Sequence, residues 1–589
     1  MPPFSKVLVA NRGEIAIRVF RTLRELEIGT VAVYSEADRG SLHVEYADEA
    51  YLLGAPPAAE SYLKIERILE TAQRSGAEAV HPGYGFLAEN AGFARACADA
   101  GIVWIGPPPE AIEAMGSKVE ARERMKAAGV PIIPGTTEPV ASAEEARALA
   151  GEIGYPLAIK AASGGGGKGL KVARTPDEVD RAFSSAQREG QAYFADPTVY
   201  VERFLEDPRH VEVQVLADGH GNVVHLGERD CTIQRRHQKL VEETPSPAVS
   251  AGLRERIGAI AVDAARAVDY RSAGTIEGLL SREGEYFFLE MNTRIQVEHP
   301  VTELVTGFDL VREQVLIAAG EPLAFRQDDV RFDGHAIECR INAEDVSSGF
   351  LPSPGAITAY REPAGPGVRV DSGVGEGSEV SGTYDPLIAK VIVHGLDREH
   401  ARRRMLRALE EYVIEGPKTL IGFHRALLAH ACFVDGETCF GLVESELLAR
   451  QAEELAPPVA PAGLNGRRGD TRTSLVELDG RRYEVRVVVP EPEFKELVRR
   501  RQERRHGHHG GAARDAVTSP MQGTVLAVDV KDGDEVEAGQ VICVVEAMKM
   551  ENEITAHRDG VVSELSVAAG QPVDAGQAIC VISQHADES

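Results

Sequence analysis

One short run of the chain carries enough polar chemistry to hold a cation and an anion side by side. In Phe288-Leu289-Glu290-Met291-Asn292-Thr293-Arg294-Ile295-Gln296-Val297-Glu298-His299-Pro300, every second residue from Glu290 to Glu298 is charged or an amide. Alternate side chains of an extended chain share a face. Glu290, Asn292, Arg294, Gln296 and Glu298 would then form one wall, with Leu289, Met291, Ile295 and Val297 behind it. A solvated edge strand alternates in the same way. A wall of oxygen donors beside a guanidinium also suits a hard divalent cation, which takes oxygen ligands. Glu277, in Gly274-Thr275-Ile276-Glu277, can add a second carboxylate from a neighbouring strand.

Two other runs read as anion sites. Ser163-Gly164-Gly165-Gly166-Gly167-Lys168-Gly169 is either a flexible loop or a lid whose backbone N–H groups close over phosphates. It is not the Gly-x-x-x-x-Gly-Lys-Ser/Thr phosphate loop. Lys160 on the strand before it, and Lys118 after Met115-Gly116-Ser117, are candidate phosphate cations. The cluster Arg229-Asp230-Cys231-Thr232-Ile233-Gln234-Arg235-Arg236-His237-Gln238-Lys239 is a basic surface patch or an anion pocket.

The last 70 or so residues contain a repeat. Gly523, Gly533, Gly539, Gln540, Ile542, Cys543 and Val544 recur 37 positions later as Gly560, Gly570, Gly576, Gln577, Ile579, Cys580 and Val581. Alternating apolar and polar residues between glycine turns predict short antiparallel strands. Two copies predict a flattened barrel with quasi-twofold symmetry. Between them Glu546-Ala547-Met548-Lys549-Met550-Glu551-Asn552 displays one lysine at a tight turn, flanked by methionines that offer a soft apolar contact.

The elements that must position these residues follow from periodicity. Strands at 7–10, 30–34, 79–81 and 103–105, with a helix at 14–25 and further helices between, predict a parallel sheet covered on both faces. The dinucleotide glycine fingerprint is absent after the first strand, where Asn11-Arg12-Gly13-Glu14 stands. Longer strands at 210–217 and 285–292 predict an α+β region. Strands at 334–341 and 389–394, with a basic helix at 398–412, predict a third. Ala456-Pro457-Pro458-Val459-Ala460-Pro461 marks a boundary, and Asp479-Gly480 predicts a hairpin turn within 474–489. The Arg-, His- and Gly-rich stretch 499–511 reads as a solvated linker rather than a metal site.

Length and composition bound the rest. The 589 residues allow about four domains at roughly 150 residues each. With 43% hydrophobic and 26% charged residues, each can build an ordinary core. A net charge of −28 disfavours general nucleic-acid binding. No apolar run reaches the roughly 18 residues of a membrane span, and no signal peptide is expected. Seven cysteines without Cys-x-x-Cys spacing argue against a disulfide framework or a cysteine zinc site, and suggest a reducing cytoplasm.

The motifs also carry a resemblance. Ala547-Met548-Lys549-Met550, opened by Ser519-Pro520-Met521-Gln522-Gly523, resembles the attachment motif of biotin carboxyl carrier domains; lipoyl domains usually have Asp-Lys-Ala at that turn. Residues 4–447 resemble biotin carboxylase, an ATP-grasp enzyme. The matching motifs are Ala10-Asn11-Arg12-Gly13-Glu14-Ile15-Ala16, His81-Pro82-Gly83-Tyr84-Gly85, the glycine loop, 228–239, 290–300 and Glu338-Cys339-Arg340-Ile341-Asn342-Ala343-Glu344. The resemblance implies α/β and α+β domains: an N-terminal Rossmann-like domain (1–114), an ATP-grasp domain (115–331, lid about 131–203), a carboxylase C-terminal domain (332–447), a linker with a small β segment and possible subunit contact (448–515) and a biotinyl barrel (516–585). It implies ATP- and bicarbonate-dependent carboxylation of biotin on Lys549, through carboxyphosphate. Lys118, Lys160, Gly165, Gly166, Glu202, Leu205, His210, Gln234 and His237 would serve the nucleotide and cofactor site. Glu277, Glu290 and Asn292 would hold Mg²⁺ or Mn²⁺. Lys239, Arg294 and the Gln296–Val297 backbone would hold bicarbonate. Glu298 would be the general base, and Arg340 would stabilise the developing biotin enolate. The implied partners are a biotin protein ligase and a carboxyltransferase β subunit, in a hetero-oligomer built on a homo-oligomer. The implied role is the α subunit of an acetyl- or propionyl-CoA carboxylase, or alternatively of a methylcrotonyl-, geranyl-CoA or pyruvate type. Rival classes are another ATP-grasp ligase, disfavoured by the carrier barrel, and a non-catalytic biotin scaffold, disfavoured by the intact polar set.

Overall fold

The computed structural model describes residues 2–136, 138–161, 170–194, 196–236, 238–456, 469–478, 481–490, 516–521, 523–547, 550–574 and 576–583. The Gly164–Gly167 run, His237, Lys549, the Asp479-Gly480 turn, the Pro457–Pro461 boundary and the 499–511 linker lie outside these residues.

The chain opens with β1 (Lys6–Val9), α1 (Gly13–Glu25), β2 (Gly29–Ser35), β3 (Glu49–Gly54), β4 (Ala79–His81) and β5 (Val103–Trp104). All sheet pairs are parallel, in the order β3-β2-β1-β4-β5. Central β1 buries Val7, Leu8 and Val9 completely, which is why it reads as a continuous apolar run. Gly13 turns the chain into α1 at φ +63°, a left-handed conformation that costs glycine little.

Next come α2 (Lys118–Ala127) and a three-stranded antiparallel sheet of β6 (Leu157–Ala161), β7 (Leu170–Ala173) and β8 (Val199–Arg203), ordered β7-β6-β8. The largest sheet follows: β9 (Arg209–Ala217), β10 (Val223–Arg235), β11 (Gln238–Thr244), β12 (Ser272–Leu280), β13 (Tyr286–Asn292), β14 (His335–Asn342), β15 (Val368–Ser372) and β16 (Leu387–Gly395). Its order is β13-β12-β9-β10-β11-β14-β16-β15. Helix α3 (Ala251–Arg266) packs Ile257, Ala261, Ala264 and Ala265 against Val211, Val213 and Val215 of β9. Helix α4 (His299–Thr306) follows β13, and α5 (Arg398–Glu411) sets Met405, Ala408 and Leu409 against Val391 and Val393 of β16. The second and third regions read separately from sequence, yet they share this sheet: β11 pairs with β14, Val241 opposite Cys339.

An antiparallel hairpin joins β17 (Gly469–Leu478) and β18 (Arg481–Pro490). The C-terminal region is β19 (Ala516–Thr518), β20 (Gly523–Val528), β21 (Glu535–Val536), β22 (Val541–Ala547), β23 (Met550–Thr555), β24 (Gly560–Ser563), β25 (Pro572–Val573) and β26 (Ala578–Ser583). It forms two four-stranded sheets, β19-β26-β24-β21 and β23-β22-β20-β25. The repeat maps one sheet onto the other. Gly533 N–H bonds to Val562 O, and Gly570 N–H bonds to Val525 O in mirrored fashion. Buried Val525, Ile542, Val562 and Ile579 fill the space between the sheets.

Cys432 and Cys439 pair with Cα atoms 5.6 Å apart, while the other five cysteines are free and buried; a single pair is not a disulfide framework. A short helix at Ala431–Val434 and the turn after it fold the two together, which spacing alone does not reveal. Among the described residues no helix is long and apolar enough to cross a membrane.

Candidate active site

The polar residues converge on Lys239, near the start of β11. Its ammonium donates to Glu212 Oε2 at 2.5 Å, Glu277 Oε1 at 2.8 Å and Glu298 Oε1 at 2.7 Å. Burial opposes its charge, but Glu212, Glu298 and Glu277 outweigh it and hold the lysine well above its ordinary value. Glu212 stands on β9 and Glu277 beside it on β12, in register. His210 Nε2 lies 2.8 Å from Glu277 Oε2.

Behind this node lies Arg229. The basic run that contains it does not form a surface patch there, because Arg229 is fully buried. Its guanidinium donates to Glu212, Gln214, Thr302, Thr275 and Gln296. Gln296 in turn donates to Glu277 Oε1 at 2.6 Å.

Arg340 of β14 closes the other side. Its Nη2 donates to Glu298 Oε2 at 2.8 Å and its Nε to Glu242 Oε1 at 2.6 Å. Burial alone would raise the Glu298 carboxyl. Lys239, Arg340 and Arg229 together hold it well below the usual range, so it stays ionised. An anion that entered and drew Lys239 and Arg340 toward itself would weaken this hold and make Glu298 more basic.

The extended wall over 290–298 ends early. β13 stops at Asn292, and Glu298 (φ −82°, ψ 8°) caps α4, with Pro300 in the first turn. The side chains gather all the same, held by a turn. Arg294 donates to Asn292 Oδ1 and to Glu89 Oε2, both at 2.9 Å, and Glu89 Oε1 accepts from Thr293 N–H. Val297 O accepts from fully buried Lys390 at 3.0 Å. Lys390 Nζ also lies 3.2 Å from Glu14 Oε2, joining α1 to the large sheet.

Glu290 stands opposite Glu277 in the β12–β13 ladder, on an exposed stretch of strand. Two facing carboxylates and the Asn292 amide oxygen form an all-oxygen donor set of the kind Mg²⁺ takes, so these residues fit that ion.

The remaining candidates are less concentrated. Lys160 on β6 pairs with Glu202 on β8. Leu205 packs with Ile133 and Phe287. Gln234, near the tip of the β10–β11 hairpin, donates to Cys231 O at 2.7 Å. Lys118 is placed by its backbone at the first position of α2, which Ser117 caps by accepting from Glu120 N–H. Gly165, Gly166, His237 and Lys549 lie outside the described residues; Ala547 and Met550 pair at the strand ends that flank Lys549. Sequence reasoning missed Glu212, Glu242, Glu89 and Lys390 as members of the site, and it left Arg229 within a generic basic run. Charged residues inside otherwise apolar strands, as in Val211-Glu212-Val213 and Ala389-Lys390-Val391, were the available signal.

Family models match most of the chain, with 446–514 between the last two: "Biotin carboxylase, N-terminal domain" at 3–112, "Carbamoyl-phosphate synthase L chain, ATP binding domain" at 117–326, "Biotin carboxylase C-terminal domain" at 338–445 and "Biotin-requiring enzyme" at 515–582. The biotin-dependent acyl-coenzyme A carboxylase alpha3 subunit of Mycobacterium leprae is 48% identical, over 94% of this chain and 94% of that protein. The chain belongs to the biotin carboxylase family. It is an ATP-dependent ligase that carboxylates biotin, and it carries its own biotin domain. Its cofactors are biotin, ATP and Mg²⁺. A pyruvate carboxylase subunit of Methanothermobacter thermautotrophicus is 56% identical over 74% of this chain and 88% of its own length. Among solved structures, the biotin carboxylase domain of Hydrogenobacter thermophilus 2-oxoglutarate carboxylase, in complex with MgADP, ADP and bicarbonate, is 50% identical with a TM-score of 0.68. That match covers 74% of this chain and 97% of the other.

Proposed function

We propose that this biotin carboxylase is the α subunit of an acyl-CoA carboxylase and that a separate carboxyltransferase subunit completes the reaction. The observation that carries this reading is the match to the M. leprae subunit, which continues through the carrier barrel. The pyruvate carboxylase subunit is more similar but over less of the chain. A pyruvate-type enzyme is therefore the second reading. The working division is 1–114, 115–331 with a lid at about 131–203, 332–447, 448–515 and 516–585. Arg499–Gly511 would be the tether of the carrier, in the cytoplasm, within an oligomer.

The chain's own residues account for the carboxylation half-reaction. Lys118, Lys160, Gly165, Gly166, Glu202, Leu205, His210, Gln234 and His237 bind the nucleotide side. Lys160 leaves Glu202 when phosphate oxygens arrive. Glu277, Glu290 and Asn292 hold Mg²⁺, which neutralises phosphate charge when bound. Lys239, Arg294 and the Gln296–Val297 backbone hold bicarbonate against Glu298, which takes its proton. Arg340 keeps a fixed positive charge at the carboxylation face. Lys549 is the biotinylation site.

The test uses the purified full chain with ATP, Mg²⁺ and labelled bicarbonate. Label should enter free biotin, but acetyl- or propionyl-CoA only after the native carboxyltransferase is added. Label in an acyl-CoA without that partner refutes the reading of the chain as an α subunit. Transfer to pyruvate and to no acyl-CoA, once the partner is present, favours the second reading.

A further inference from the structure

Among the described residues, three carboxylate oxygens beside Arg340 have no hydrogen-bond partner: Glu242 Oε2 and both oxygens of Glu338. Both side chains are fully buried. They are direct cross-strand neighbours, Glu242 on β11 opposite Glu338 on β14, which places their Cβ atoms about 5 Å apart. Glu242 is already engaged on its other oxygen, accepting from Arg340 Nε at 2.6 Å.

A buried carboxylate without a donor does not persist in its ionised form, and two side by side persist still less. One proton shared between them removes a charge and supplies the missing donor. We propose that Glu338 is a positioning residue for Arg340: its carboxyl group keeps a proton at neutral pH and donates it to Glu242 Oε2. The pair then carries a single negative charge, which orients Arg340 Nε and leaves the rest of the guanidinium for Glu298 and the carboxylation face. This rests on the reading of Arg340 given above.

Among the described residues, no other side chain donates to these oxygens. From β16, Lys390 stands opposite Arg340, two positions along the strand from Glu338, and its ammonium is engaged by Val297 O and Glu14, with Asp371 of β15 at 3.8 Å. Arg340 shares the strand of Glu338 and is taken up by Glu242 and Glu298. Helix α4 packs against β14 and brings His299 and Glu303. Glu303 is paired with Arg18 and Arg369. Burial, with Lys390 and Arg18, keeps His299 well below its ordinary value and therefore neutral. Burial pushes the Glu338 carboxyl well above the usual range; Lys390 and Arg340 oppose the rise, and Glu242 and Glu298 add to it. Burial likewise pushes Glu242 up to about 7 against Arg340.

The test has two readouts on the full chain. The first is infrared spectroscopy at neutral pH. The wild-type chain should show the C=O stretch of a protonated carboxylic acid, which Glu338→Gln removes and Glu338→Asp shifts. The aspartate variant keeps this readout usable if the glutamine variant folds poorly. The second is the pH profile of free-biotin carboxylation. Wild-type kcat/KM for biotin should fall at alkaline pH as the shared proton leaves. Glu338→Gln keeps an N–H donor that pH does not remove, so its fall should move to higher pH. Glu338→Leu, with no donor, should raise KM for biotin roughly tenfold, the scale of one lost charge-assisted hydrogen bond, and shift KM for ATP far less. Absence of an acid band sensitive to Glu338, or an unchanged alkaline limb in Glu338→Gln, overturns the proposal. Failure of the Arg340 reading is seen separately, as normal biotin carboxylation by Arg340→Ala.

Discussion

Replacing Arg229 with lysine keeps the charge at the centre of the site and removes only its geometry. The guanidinium is fully buried and makes five hydrogen bonds: to Glu212 Oε1 at 2.5 Å, Gln214 Oε1 at 2.8 Å, Thr302 Oγ1 at 3.0 Å, Thr275 Oγ1 at 3.2 Å and Gln296 Oε1 at 2.8 Å. An ammonium has three N–H donors, so at least two buried acceptors lose their partner. At about 1.5–3 kcal/mol for each bond to a charged group, the loss is on the order of 3–6 kcal/mol. For a cooperative unit of a few hundred residues, this corresponds to a fall in Tm on the order of 10 °C. The damage should also reach substrate binding. Gln296 loses one of its two side-chain anchors, the other being its bond to Glu277 Oε1 at 2.6 Å. Scanning calorimetry and steady-state kinetics of Arg229→Lys read both effects: a lower Tm, and a KM for bicarbonate that rises more than the KM for ATP. A Tm within about 2 °C of wild type together with an unchanged bicarbonate KM would refute the reasoning, because five buried hydrogen bonds could not then depend on the guanidinium fork.

Three further outcomes are expected. Intact mass of the chain expressed with a biotin ligase should rise by one biotin, and Lys549→Arg should abolish the increase; a persisting increase would move the attachment elsewhere. Hydrogen exchange across β6 and β7 should slow when a nonhydrolysable ATP analogue binds, since phosphates then replace Glu202 as the partner of Lys160; equal exchange would mean that this sheet does not close on nucleotide. Burial lowers His43, His81 and His424 from 6.5 to about 4. Each is therefore neutral in the folded chain and binds a proton only on unfolding. Stability from the three should be complete above about 6.5 and decline toward about 4, by about 1.4 kcal/mol per pH unit for each histidine. Denaturant titrations that show no loss of stability across that window would contradict their burial as neutral rings.

Much of the site was legible because the chemistry lies on local patterns. Glu277 and Glu290 do face each other across a ladder, and Lys239, Glu298 and Arg340 do meet. The C-terminal repeat reappears as two sheets exchanged by one symmetry. What stayed hidden depends on long-range pairing. The joining of β11 to β14 brings Glu242 to Arg340 across 98 positions, and no local period encodes that contact. The run 290–298 read as one strand because alternation cannot report where a chain turns; the strand ends at Asn292, and Glu298 already stands at the N-terminal boundary of α4. Arg229 stayed within a run read as a basic surface patch or an anion pocket, because clustering along the sequence gives no depth. Its acceptors come from β9, β12, α4 and the turn before α4.

The central claim is that Glu298, caged by Lys239 and Arg340, takes the bicarbonate proton. Bicarbonate-dependent ADP release by Glu298→Gln, with nucleotide binding measured on the same preparation, tests it most directly. The amide keeps the shape of the carboxylate and cannot act as a base. The expected result is a loss of roughly 10²–10⁴ in rate with nucleotide affinity retained. Near wild-type bicarbonate-dependent turnover in Glu298→Gln would contradict the account.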